Sequence, residues 1–183
     1  MVEVRVIAVS GTPGTGKTKF ARRLAERMGA KMIDLNALIE RRGIYELDEE
    51  GTRVTDPEVL GREFSRAIED ISGSLVVEGL LAHLLPKEKL THVVVLRTRP
   101  KVLKKRLKER GYSGKKLRDN LEAEALDIIL WEAVQAHGED RVYELDTTEL
   151  TTEEAVNLFQ DALKGKVSLR PGKIDWLEDF YGP

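Results

Sequence analysis

The chain contains no cysteine, which excludes a disulfide framework and thiolate metal ligands and leaves nothing to suggest an oxidising compartment. No apolar run approaches the length needed to span a bilayer. Residues 1–30 lack a leader-type pattern, because the apolar start runs directly into a glycine-rich turn. A cytoplasmic protein with no membrane partner is therefore expected. A large net charge is missing too. Charged residues make up 34% of the chain yet cancel to a formal charge of -2, which argues against a globally basic nucleic-acid binder. Internal repeats and low-complexity tracts are absent, as is the N/T-K-x-D sequence that reads guanine, so a GTPase is disfavoured. The 183 residues suit a single globular domain over 1–183 with a core of its own.

What is present is organised around Gly11 to Thr18, GTPGTGKT, which satisfies G-x-x-x-x-G-K-[ST] at every fixed position. The apolar run Val2 to Val9 precedes it, and apolar residues at Phe20, Ala21, Leu24, Ala25 and Met28 recur with a helical period after it. A strand, a phosphate-binding loop (P-loop) and a helix are expected in that order. Gly11, Gly14 and Gly16 lack a Cβ, so the backbone can turn its N–H groups inward around an anion. Lys17 is placed to reach the β- and γ-phosphates of ATP, and the Thr18 hydroxyl to ligate the Mg2+ that bridges them.

Downstream, short strands alternate with amphipathic helices. Residues 31–35 form a short strand candidate, and Asn36 is positioned to cap a helix over 37–42 that Gly43 stops. Residues 44–55 are acidic and aperiodic, an excursion of the kind compact domains keep for function. Asp56-Pro57 starts a helix to about Ile71. Apolar runs over 74–77, 92–96 and 141–145 read as buried strands, the first delivering Glu78 and the second Arg97. Helices are expected over 100–110, 116–136 and from Thr151 or Thr152 to about Leu163. Strands apolar on both faces and separated by helices imply an α/β fold. Its parallel sheet of about five strands is covered on both faces and takes ligands at the carboxyl ends of the strands. The tail, 164–183, carries an aromatic group, Trp176, Phe180 and Tyr181.

Several residues then converge on one chemistry. Glu78, at a strand end, is a candidate second-sphere partner for Mg2+ beside Thr18. Arg106 and Arg110, spaced i and i+4, can point two guanidinium groups at one triphosphate, where planar cations stabilise the charge that spreads during phosphoryl transfer. Arg41 and Arg42 are candidates to grip the phosphate of an acceptor nucleotide. His83 follows Glu78 closely enough to face the same site. Eleven Lys or Arg against one acid between Arg97 and Arg118, set against the acidic run Glu46 to Glu50, suggest that basic and acidic surfaces meet different ligands.

With these residues in place, the chain resembles the adenylate kinase isoenzyme six family, also described as coilin-interacting nuclear ATPase, and its archaeal members. The resemblance rests on GTPGTGKT, LVVEG, VVVLRT and above all ERGYSGKKLRDNLEAE, and covers about Val4 to Leu163. It implies a nucleoside-monophosphate (NMP) kinase fold using ATP and Mg2+, with AMP or another NMP as acceptor and an associated ATPase activity. It also implies a role in small ribosomal subunit maturation, with a platform ribosomal protein and pre-ribosomal RNA as partners. Carried over by position, Gly11, Gly14, Thr15, Gly16, Lys17, Thr18 and Lys19 bind ATP, and Arg110 contacts it from a lid over 109–119. Residues 34–55, with Asp34, form the NMP-binding insertion. The family often has Asp-x-His where this chain reads Glu78-Gly79-Leu80, which weakens the ATPase half. An ATPase assembly factor without kinase activity and a shikimate-type small-molecule kinase are the alternatives.

Overall fold

The computed structural model describes residues 4–182; Val2, where the first strand is expected to begin, and the final Pro183 lie outside them. In chain order the elements are β1 (Val6–Ser10), α1 (Lys17–Met28), β2 (Lys31–Asp34), α2 (Leu35–Arg42), β3 (Glu46–Leu47), β4 (Arg53–Val54), α3 (Pro57–Ile68), β5 (Leu75–Glu78), β6 (His92–Arg97), α4 (Pro100–Glu109), α5 (Gly114–Ala125), α6 (Ile128–His137), β7 (Val142–Asp146), α7 (Thr152–Leu163) and α8 (Leu177–Tyr181). Five strands pair in the order β2-β5-β1-β6-β7, and every pair is parallel. The connection order reverses around β1, so a crevice opens at its carboxyl end, where ligands bind in sheets of this kind. Among the described residues no helix is long and apolar enough to cross a membrane.

The strand runs are continuously apolar because both faces of the sheet are covered. Alternate residues divide between two cores. Ala8, Val77, Val93 and Val95 pack with α2, α3 and α6 on one face, while Ile7, Val9, Val76, Val94 and Leu96 pack with α1 and α7 on the other. Local capping fixes the helix starts. Asp56 accepts from the N–H groups of Glu58 and Val59 ahead of α3, and Thr151 with Glu154 forms a reciprocal capping box on α7, each such cap being worth about 1 kcal/mol.

Three local expectations are revised. The cap of α2 is Asp34, whose carboxylate accepts from Ala37 N at 3.0 Å, not Asn36; Leu35 is already helical and fully buried. The aperiodic stretch after α2 contains an antiparallel hairpin, β3 with β4. Its turn is held by Asp48, which accepts from Glu50 N and Thr52 N, with Gly51 at φ 77°, a side-chain-to-backbone device that mimics a turn. The helix expected over 116–136 is two helices, broken where Asp127 takes φ 55°. No glycine or proline signals that break. It is made by a tertiary contact, because the Asp127 carboxylate pairs with the Arg97 guanidinium.

A third apolar cluster, Leu103, Leu107, Leu117 and Leu121, joins α4 to α5, and Tyr112 and Phe180 pack against it. The aromatic tail is thus seated on the helices that carry the basic segment. Trp176 is buried against Arg99, whose guanidinium lies 5.1 Å from the ring centroid, and the Tyr181 hydroxyl donates to Glu122 Oε1 at 2.6 Å.

Candidate active site

The loop Gly11 to Gly16 joins β1 to α1 beneath α4, and glycine is required at two points for different reasons. At Gly11, φ 148°, a Cβ would lie 2.6 Å from the Leu96 carbonyl oxygen. At Gly14, φ 90°, it would lie 2.9 Å from Leu103 Cδ1 and 3.2 Å from Leu107 Cδ2, so α4 rests directly on the loop. Thr15 donates to the Thr12 carbonyl at 2.9 Å and accepts, through its own carbonyl, from the Thr147 hydroxyl at 3.0 Å. Lys17 Nζ also donates to the Thr12 carbonyl, at 3.0 Å.

A cleft of about 700 Å3 opens over this loop, lined among others by Gly14, Thr15, Gly16, Lys17, Thr18, Lys19, Arg106, Arg110 and Thr147. Gly11 lies outside that lining. Burial lowers the Lys17 pKa to about 8; Glu78 and Glu124 act against that fall and Arg110 adds to it. A cation held this far from water is poorly solvated, and a polyanion in the cleft would relieve it. Arg106 donates to the Gly14 carbonyl at 3.2 Å and so pins α4 to the loop. Arg110, the residue that ends α4, reaches the same cleft and is felt electrostatically at Lys17.

Glu78 ends β5 directly across from Val9 of β1 and Asp34 of β2. This register sets the acid beside the start of α1, where Thr18 Oγ1 donates to Glu78 Oε1 at 3.0 Å. Burial, and to a lesser degree the neighbouring Asp34, raises the Glu78 pKa above the ordinary carboxylate value, against the Thr18 hydrogen bond. Among the described residues no group of three or more His, Cys, Asp or Glu is arranged to hold a metal ion. Two hard oxygen donors beside a phosphate loop nevertheless fit Mg2+, which keeps several waters and takes phosphate oxygens as ligands.

The other residues singled out in the sequence fall elsewhere. Asp34 is near Glu78 but caps α2. Arg41 and Arg42 are exposed in the last turn of α2, Arg42 Nη1 lies 3.7 Å from Glu63 Oε2, and neither lines the cleft. His83 does not face the site. It is 1% exposed, with Nδ1 2.8 Å from Ser10 Oγ and Nε2 2.8 Å from Glu132 Oε2, so both ring nitrogens are occupied between β1 and α6, and burial keeps its pKa low.

One cluster is not expected from the sequence. Arg97, 1% exposed, donates from Nε to Glu124 Oε1 at 2.9 Å and from Nη1 to Glu144 Oε1 at 2.7 Å, and pairs with Asp127. Burial works against the Arg97 charge, but Glu124, Asp127 and Glu144 outweigh it and hold the group more firmly protonated than usual. Glu144 Oε2 in turn accepts from the backbone N–H groups of Gly172 and Lys173, and Glu124 Oε2 accepts from the Thr12 hydroxyl at 2.6 Å. Removing one partner from such a buried set typically costs about 3–5 kcal/mol. Arg97 stands in LRT and Glu124 in NLEAE, but nothing local says that they meet each other or Asp127 and Glu144.

Residues 7–127 match the family model described as an AAA domain. The chain is 40% identical over 178 residues to the "Putative adenylate kinase" of Pyrococcus furiosus, and 43% identical over 179 residues to the protein of the same name from Archaeoglobus fulgidus. Each match covers 96% of this chain and 93% of the relative. Among solved structures, a shikimate kinase from Bacteroides thetaiotaomicron superposes with a TM-score of 0.63 at 20% identity, covering 88% of this chain and 99% of that one. One from Acinetobacter baumannii in complex with shikimate gives 0.64 at 18%, covering 90% and 96%. At such identities the superpositions show the P-loop kinase fold alone. The relatives extend along nearly the whole length, and on that ground the chain belongs to the family of these archaeal proteins named "Putative adenylate kinase", within the P-loop kinases.

Proposed function

We propose that the protein is an ATP- and Mg2+-dependent NMP kinase of the adenylate kinase type, transferring the γ-phosphoryl group of ATP to AMP or a related monophosphate. The observation that carries this reading is the convergence on one cleft of Lys17 and Thr18 from the loop and α1, Arg106 of α4 and Arg110 at its end, with Glu78 bonded to Thr18 at 3.0 Å. In the reaction an acceptor phosphate oxygen bonds to the γ-phosphorus as the bond to the bridging β–γ oxygen breaks, and negative charge grows on the leaving ADP and spreads over the equatorial oxygens. Lys17 and Arg110 would stabilise that charge, and Gly11, Gly14, Thr15, Gly16 and Lys19 would hold the phosphates with the backbone and side chains around them. Thr18 would ligate Mg2+ and Glu78 would contact it through water, and the ion would supply charge neutralisation for the phosphates. Residues 34–55, with Asp34, Arg41 and Arg42, form the acceptor side in this reading, and residues 109–119 form the lid.

The likeness to isoenzyme six would add ATP hydrolysis and a place in small-subunit maturation. Hydrolysis is the weaker part, since Leu80 stands at the family histidine position and His83 is occupied by Ser10 and Glu132. For a platform ribosomal protein or pre-ribosomal RNA, the support is limited to the charge pattern of the acidic hairpin and the basic lid.

A coupled assay of ADP formation with AMP, dAMP, CMP, GMP and UMP, beside an ATP-only control, tests the proposal. We expect acceptor-dependent turnover with AMP well above the control. Equal consumption of ATP with and without acceptor would favour an ATPase, and turnover only with a compound such as shikimate would favour a small-molecule kinase.

Proton linkage gives a second test. Lys17 titrates at about 8 in the free protein, and bound phosphates would raise that value. Binding of Mg-ATP at pH 8 should therefore draw in up to about half a proton per site, and affinity should fall as pH rises through that range. Calorimetry in two buffers of unlike ionisation enthalpy measures the uptake, and Lys17→Ala should abolish it; uptake unchanged in that variant would mean that the proton does not go to Lys17.

A further inference from the structure

We propose that Glu124 is a positioning residue for phosphoryl transfer, acting through Thr12 to aim Lys17 and tying the phosphate loop to the helix that follows the lid. The inference rests on the kinase reading above. Glu124 is 2% exposed, near the end of α5, and both of its carboxylate oxygens are fixed. Oε1 accepts from Arg97 Nε and Thr98 N, each at 2.9 Å, and Oε2 accepts from the Thr12 hydroxyl at 2.6 Å across 112 residues of sequence. Thr12 then presents its carbonyl to Thr15 Oγ1 at 2.9 Å and to Lys17 Nζ at 3.0 Å. Two hydrogen bonds, joined through Thr12, thus lead from α5 to the ammonium group.

Neutralising Arg97 does not account for this arrangement. Glu144, 4% exposed, already meets Arg97 Nη1 at 2.7 Å, and Asp127 is a third carboxylate on the same guanidinium. One buried cation does not require three acids, and the oxygen of Glu124 that faces Thr12 has no hydrogen bond to Arg97. Its hydrogen bond to Thr12 holds the loop tip instead. A loop held this way keeps Lys17 aligned when substrate enters, and small misplacements of a catalytic group cost rate far more than affinity.

The test uses Thr12→Val, which keeps side-chain shape and deletes the hydroxyl, Thr12→Ser, which restores it, Glu124→Gln, and the pair Thr12→Val with Glu124→Gln. Turnover, ATP affinity, melting temperature and hydrogen exchange at the amides of Thr12, Gly14, Thr15 and Gly16 are measured on each. Thr12→Val should lower kcat at least about tenfold while changing the ATP dissociation constant by less than about threefold. Thr12→Ser should recover most of that loss, and the double variant should be no worse than the more damaged single variant, as expected for residues acting through one contact. Exchange at the loop amides should rise in Thr12→Val and not in Thr12→Ser. Wild-type kcat in Thr12→Val, equal damage in Val and Ser variants, or losses that multiply in the double variant would overturn the proposal. If Glu124→Gln fails to fold, the Val and Ser pair at Thr12 still decides the outcome. A wild-type protein with no acceptor-dependent turnover would sink the kinase reading, and loop exchange would then report separately whether Thr12 and Glu124 hold the loop.

Discussion

Lys17→Ala is expected to reduce phosphoryl transfer by at least about a hundredfold, since a donor aimed at developing charge in a water-poor site contributes about 3 kcal/mol or more. Its effect on folding should run the other way. In the native state burial lowers the Lys17 pKa from 10.5 to about 8, so the folded protein binds this proton less readily than the unfolded chain. A group whose cationic form is disfavoured by folding destabilises the native state fully below the lower value, and the penalty fades as pH rises toward the upper one. At neutral pH the alanine variant therefore loses an unfavourable buried charge along with one hydrogen bond to the Thr12 carbonyl. A melting temperature equal to or above wild type, with turnover nearly abolished, is the combined signature. Turnover close to wild type in the folded variant would end the phosphate-loop reading, whereas a collapsed melting temperature would mean that Lys17 is structural.

Arg110→Ala should separate rate from binding. Arg106 is committed to the Gly14 carbonyl, so its removal disturbs both the loop and the cleft. Arg110 sits where α4 ends, directly before Gly111 at φ 83°, at the edge of the proposed lid and within electrostatic reach of Lys17. A cation placed there is engaged most strongly when charge redistributes in the transition state. We expect kcat to fall by about a thousandfold, the lower end for an arginine acting on a transferring phosphoryl group, and ATP affinity by less than about tenfold. Exposed Lys104, Lys105 and Lys108 on the same helix serve as comparators, and their alanine variants should stay within about twofold in kcat. Equal losses in rate and affinity at Arg110, or losses no larger than those of the lysines, would make this a solvated basic face.

The loop is legible in the residues alone because its constraints are local. Positive φ at three glycines and a helix beginning at Lys17 follow from the identity of adjacent residues, and the motif fixes their spacing. The strands are legible for a related reason. A run such as VVVLR, apolar on both faces, has few places to go except the middle of a covered parallel sheet, and Glu78 or Arg97 at its end then stands at the carboxyl edge of that sheet. Capping sequences mark α3 and α7 correctly because a cap acts over three or four residues.

Only the tertiary structure decided which strand ends meet. The order β2-β5-β1-β6-β7 brings Glu78 to Thr18 across 60 residues and seats His83 away from the cleft, between Ser10 and Glu132. The break at Asp127 had no sequence signal because its cause is an ion pair with a residue thirty positions earlier. The tail behaved likewise. Nothing in the sequence says where its aromatics go, yet Trp176 and Phe180 are packed against Arg99 and the α4–α5 cluster, and two of its backbone N–H groups bind Glu144. Periodicity and dihedral preference report on neighbours within a turn or two, whereas a buried carboxylate such as Glu124 is placed by the register of strands and helices far apart in the chain. The sequence alone therefore determined the loop, the elements and their chemistry, and the packed sheet decided which of those groups stand close enough to act together.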